Sequence, residues 1–157
     1  MMTSDDRARI RQVIQHIKLH DLFLYESAFT RGEDPDGGLP DTVLMEDMRR
    51  VEAAQMPYPD GGEGTGLVQI KITLGSRAVP DNGGVDGDPE PAPLFTIEAS
   101  FIVEYLTDEV LDDESIRVFA NINGVHNVWP FWRQHVNDVV DRGRLPRIVI
   151  PLFSADP

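Results

Sequence analysis

This 157-residue sequence predicts an α+β fold: a four-stranded antiparallel meander sheet with a long C-terminal helix on one face. Three observations carry that expectation. Residues 67–74 and 95–105 alternate apolar and polar side chains with a period of two, the mark of half-buried strands. Val128, Trp132, Val136, Val139 and Val140 recur at helical spacing. Gly/Pro/Asp-rich runs at 31–41, 57–66 and 80–93 separate the regular segments, and strands followed by helices define the α+β class.

Residues 5–11 are polar and arginine-rich and read as a frayed lead-in. Ile17 and Leu19 alternate with Lys18 and His20 and open a strand, with a helix over 5–17 as the alternative. The apolar parity switches at Leu22 and Leu24, which calls for a bulge near His20-Asp21 or burial on both faces. Residues 42–56 fit either a short helix or an irregular edge strand. Val68, Ile70, Ile72 and Leu74 share one face of the next strand. Phe95, Ile97, Ala99, Phe101, Val103 and Tyr105 share one face of the strand after it.

Ser115 to Gly124 reads as a short helix. The long helix is expected to start at Pro130, which a first turn tolerates, and to stop at Gly143, which suits a left-handed cap. A wholly apolar strip, ending Pro151-Leu152-Phe153, follows it. One helix on one sheet face makes a thin core for this length, so the chain is expected to oligomerise.

Composition narrows the function. The chain is 41% hydrophobic and 26% charged, ordinary for one globular domain over 1–157. No run approaches the roughly eighteen apolar residues of a membrane span, and the polar start lacks a signal-peptide core. There is no cysteine, so disulfides, thiol catalysis and thiolate metal sites are excluded. The cytoplasm is the expected location. Net charge is −13 and uneven: residues 21–113 hold 21 acidic and 5 basic side chains. So acidic a body repels phosphate backbones, which disfavours nucleic acid and suits solubility or a basic partner.

Catalytic and metal motifs are missing. His16 and His20 would pair as ligands only on a helix, and the segment reads as a strand, so no metal is expected. Asp34-Pro35-Asp36-Gly37 and Asp86-Gly87-Asp88 lack the spacing and closing glutamate of a calcium loop. Gly61-Gly62-Glu63-Gly64-Thr65-Gly66 lacks the lysine and preceding strand of a phosphate loop, and no serine sits in a nucleophile elbow. The expectation is a protein that is not an enzyme and needs no cofactor. It does carry aromatic surface. Trp129, Phe131 and Trp132 cannot all face one small core, because consecutive helical residues diverge by about 100°. Some of them must meet a partner or line a groove.

Those residues also carry a resemblance. Trp129-Pro130-Phe131-x-Arg133-Gln134, Val136, Val139-Val140, Arg142-Gly143-x-Leu145-Pro146 and Ile148-x-Ile150-Pro151-Leu152-Phe153 together resemble the SecB protein-export chaperone family. The strong match covers 128–153, and Ile17 to Tyr25 looks like the family's first strand. The sequence runs four residues past Phe153, without the C-terminal helix and acidic tail of typical members.

The resemblance implies an ATP-independent holdase that binds unfolded or non-native chains in hydrophobic grooves, assembled as a homotetramer (a dimer of dimers). On this pattern Phe23, Tyr25, Phe101, Tyr105, Trp129, Phe131, Leu145, Ile148, Leu152 and Phe153 would line the client groove. Trp132, Arg133, Val136, Val139 and Val140 would form the oligomer interface. Family members offer the export motor SecA an Asp-x-x-x-Glu pair in the first strand. Here Asp21 fits, position 25 is Tyr, and Glu26 falls on the opposite face unless a bulge intervenes. Expected partners are therefore unfolded clients, with SecA or an antitoxin as the dedicated one. The alternatives are a chaperone for a toxin–antitoxin pair with no SecA role, and a protein-interaction or ligand-binding module without chaperone activity.

Overall fold

Among the described residues, four long strands and three helices build one sheet with a helical layer on a single face. The computed structural model describes residues 1–41, 43–58, 66–81 and 92–155. Outside them lie most of the glycine-rich run at 61–66 and the Asp86-Gly87-Asp88 cluster. The strands β1 (Ile17–Arg31), β2 (Val43–Pro57), β3 (Gly66–Pro80) and β4 (Phe95–Thr107) are antiparallel, in the order β1-β4-β3-β2. The α+β class, the four antiparallel strands and the long C-terminal helix are as expected. The order differs from a simple meander: only β2, β3 and β4 follow in sequence. β1 pairs with β4, which closes a Greek key.

The chain opens with α1 (Ser4–His16), where 5–11 read as a frayed lead-in; it is the helix over 5–17 held as the alternative, and the strand expected from Ile17 follows it as β1. Thr3 and Asp6 explain it as a capping box. The Thr3 hydroxyl accepts from the Asp6 amide at 3.1 Å, and the Asp6 carboxylate accepts from the Thr3 amide at 2.9 Å. Its buried residues, Ile10 and Val13, face the helical layer. β2 resolves the ambiguity at 42–56: it is a regular edge strand, paired with β3 along its whole length. Its sequence does not alternate cleanly because an edge strand exposes side chains on both faces, as the mostly exposed run from Glu46 to Arg50 does.

After β4 the helical layer runs almost unbroken through α2 (Asp113–Phe119), one π-turn (Ala120–Gly124) and α3 (Val125–Gly143). Pro130 therefore lies inside α3 and does not begin it. It is exposed, as is His126, whose carbonyl loses its helical donor to the proline ring. The cap also differs from expectation. Gly143 stays helical and Arg144 is the left-handed residue (φ 50°, ψ 47°). The Leu145 amide donates to the Val140 carbonyl at 3.0 Å and the Arg144 amide to Asp141 at 3.3 Å, a Schellman closure. Gly143 packs closely: a Cβ there would lie 3.1 Å from the Phe29 ring, which would have to give by a few tenths of an ångström.

The core lies between the sheet and this layer. Val68, Ile70, Ile72 and Leu74 of β3 and Ile97, Phe101, Val103 and Tyr105 of β4 meet Ile116, Phe119, Val125, Val128, Trp132, Val136 and Val140. Among the described residues, no helix covers the other sheet face. At its centre Thr73 and Ser100 are nevertheless buried, their hydroxyls hydrogen-bonded to each other at 2.8 Å.

Candidate functional site

Two surfaces hold apolar side chains that the single chain leaves uncovered, and β1 is the larger. The strand skips register twice against β4, between Leu19 and Asp21 and between Leu24 and Glu26, so His20 and Tyr25 are bulged. The first skip is the expected bulge, and the second was not foreseen. Cross-strand partners share a face, so Leu19, Leu24 and Phe29 lie on the helix side, opposite Tyr105, Phe101 and Ile97. Asp21, Phe23 and Glu26 share the open side with Glu104, Ile102 and Ser100. The second bulge is thus the condition under which Glu26 joins the face of Asp21. Exposure of 50% at Leu19, 48% at Leu24 and 61% at Tyr25 leaves apolar side chains uncovered along this strand. Lys71 Nζ sits 5.1 Å from the centre of the Tyr25 ring, on the open side.

The second surface is a groove between β2 and the helical layer. Residues 145–155 follow α3 as an irregular strap with Leu145 and Ile150 buried. Trp129 Nε1 donates to the Pro151 carbonyl at 2.7 Å. Phe153 then turns into a socket, its ring centre 5.5 Å from that of Trp129 and 6.3 Å from that of His126, with the Arg49 guanidinium 5.8 Å above it. Val51 lies one same-face position along β2 from Arg49. There a cleft of about 350 Å³ opens between Val51, Ala53 and Gln55 of β2 and Ile116, Arg117, Ala120 and Asn121 of the helical layer. Gln55 closes its far end, bonding the Leu111 amide at 3.0 Å and carbonyl at 3.2 Å.

The residues expected in one client groove fall in four places. Phe23 and Tyr25 are on the open side of β1. Phe101, Tyr105 and Leu145 are buried in the chain's own core, because they face α3 across the sheet or anchor the strap beneath it. Trp129, Ile148, Leu152 and Phe153 belong to the strap and its seat, with Leu152 itself exposed, while Phe131 stands on the outer side of α3. Of the residues expected at an oligomer interface, Trp132, Val136 and Val140 pack against the sheet within the chain. That is where a helix with one apolar stripe must put it. Val139 is half-buried and Arg133 exposed. Arg49, His126, Val51 and the Ala120–Asn121 turn were not picked out. Their signal is weak in sequence, since the groove exists only through pairing of β2 with β3.

Burial also shifts two titrations beneath these surfaces. It raises the pKa of Tyr105, whose hydroxyl accepts from Asn127 Nδ2 at 2.8 Å, and it lowers that of His135, stacked on Trp132. Among the described residues, no helix is long and apolar enough to cross a membrane.

The four-stranded antiparallel sheet with helices on one face is similar in fold to a solved SecB-like structure. One solved structure with this fold is the Mycobacterium tuberculosis Rv1957 SecB-like chaperone in complex with a ChAD peptide from the Rv1956 HigA1 antitoxin. The match has a TM-score of 0.61 at 16% identity and covers 95% of this chain and 99% of that one. No protein-family model and no curated protein matches the sequence.

Proposed function

We propose that the chain is an ATP-independent holdase that binds unfolded or non-native polypeptides through apolar grooves. The observation that carries this reading is the seat along β2, where an irregular apolar segment is held by one carbonyl bond and one aromatic socket. Such a site uses main-chain polarity and ring contacts that many sequences supply, which suits broad client choice. The SecB-like fold agrees with it. The free β1 edge is the joining surface in this proposal: two copies paired there would bury Leu19, Leu24 and Phe29 and multiply weak sites across an assembly.

A dedicated client of antitoxin type is the second reading, supported by the antitoxin peptide on the structural neighbour. Asp21 and Glu26 on one face keep a basic partner such as SecA within the proposal. The test is suppression of aggregation of a chemically denatured protein, without nucleotide, at substoichiometric to equimolar chain. Suppression together with a solution mass of several chains is the expected result. A monomer with no effect on aggregation defeats the reading.

A further inference from the structure

The strap shows what its own seat recognises. Phe153 is the one ring of residues 145–155, and it meets Trp129, His126 and Arg49 while Leu152 beside it stays exposed. Two residues earlier, the Trp129 indole takes a main-chain carbonyl and makes no demand on the Pro151 side chain. The arrangement reads an extended backbone at one point and an aromatic side chain two residues on. The cleft at Val51, Ala53, Ala120 and Asn121 lies next along β2 beyond Arg49.

We infer that Pro151–Phe153 is a built-in occupant of a client subsite, and that the client displacing it presents an extended apolar segment with an aromatic residue. The inference rests on the holdase reading and specifies its ligand class. A tethered occupant competes at the high local concentration of its short connection, so it lowers apparent affinity for every client by the fraction of time it is seated. Chains with a weak or misplaced aromatic are thereby turned away. Chains with a well-placed one enter and extend into the open cleft.

The experiment uses a synthetic peptide with the sequence of residues 148–154 and the same peptide with alanine in place of its phenylalanine. Binding is read from the Trp129 indole N–H resonance, and the buried Trp132 indole reports that the fold is intact. In Phe153→Ala the Trp129 signal is expected to lose its bonded shift, and adding the peptide to restore it. Peptide affinity should exceed that of the unaltered chain about tenfold. The alanine peptide should not bind. Phe153→Leu, which keeps an apolar side chain and loses the ring, should move affinity the same way by a smaller factor.

Adding Trp129→Phe, with binding followed by calorimetric titration because the reporting indole is gone, should weaken the peptide about fivefold, the worth of one net hydrogen bond. Equal affinity in the unaltered chain and both Phe153 variants, or equal binding of the two peptides, overturns the inference. If aggregation is suppressed while the peptide binds none of these proteins, the holdase reading survives and this one fails. If the peptide binds as described and no variant suppresses aggregation, the occupied subsite stands and the holdase reading fails.

Discussion

Tyr105 carries a measurable consequence of the helical layer. Burial raises its pKa above the ordinary 10.0, while the Asn127 bond pulls the other way. The unfolded chain therefore releases this proton first as pH rises. Stability is full below pH 10 and falls above it. Tyr105→Phe is expected to remove that alkaline loss and to cost about 1 kcal/mol at neutral pH, by leaving the Asn127 donor unsatisfied. Urea unfolding at several pH values checks both. His135 gives the acid counterpart. Burial lowers its pKa from 6.5 more than Asp138 raises it, so the unfolded chain takes up the proton first, and stability present above pH 6.5 declines below it. His135→Gln is expected to flatten that part of the profile.

At this scale the apolar stripe of α3 and its stop at Gly143 are as expected, while its start is not: Pro130 looks like a first turn, but local preference yields when the π-turn joins α2 to α3. The left-handed cap falls one residue on, at Arg144.

β1 is the element on which assembly is expected to turn. It runs for fifteen residues with nearly every side chain at least partly exposed, and its helix-side apolar residues reach past the chain's own core. Leu24→Glu should leave the fold intact, since Leu24 is 48% exposed, and should reduce the sedimenting species to a smaller one. An unchanged mass would show that copies join elsewhere. The bulge at His20 was legible because the apolar parity switches there. The one at Tyr25 was not, because Leu22-Phe23-Leu24-Tyr25 is continuously apolar and carries no parity. The position of β1 beside β4 was equally hidden. It depends on long-range pairing, and nothing local in Ile17–Arg31 states which edge it joins.

For the whole molecule the dominant fact is charge. Asp21, Glu26, Glu98 and Glu104 share the open face of β1 and β4, within a chain of net charge −13. Capture of basic unfolded clients is expected to weaken several-fold between about 50 and 500 mM salt, while capture of neutral apolar clients holds or strengthens. Light scattering of two denatured proteins of opposite charge would separate the cases. A shared salt response would mean that the acidic face takes no part. The acidity was plain from composition. The groove was not, since its two walls come from residues about seventy positions apart.

The π-turn at Ala120–Gly124 works as a phase setter between two lengths of helix. Each helical residue advances the azimuth by about 100°, so one residue more or less upstream rotates everything downstream. Removing Asn121 would let α2 wind straight into α3 and swing Trp132, Val136 and Val140 away from the sheet, though every core side chain is still present. Such a deletion is expected to keep far-ultraviolet helical signal and lose the near-ultraviolet signal of the tryptophans. Asn121→Ala, which preserves the count, should keep both. The fold thus depends on a number of residues in this turn more than on their identity.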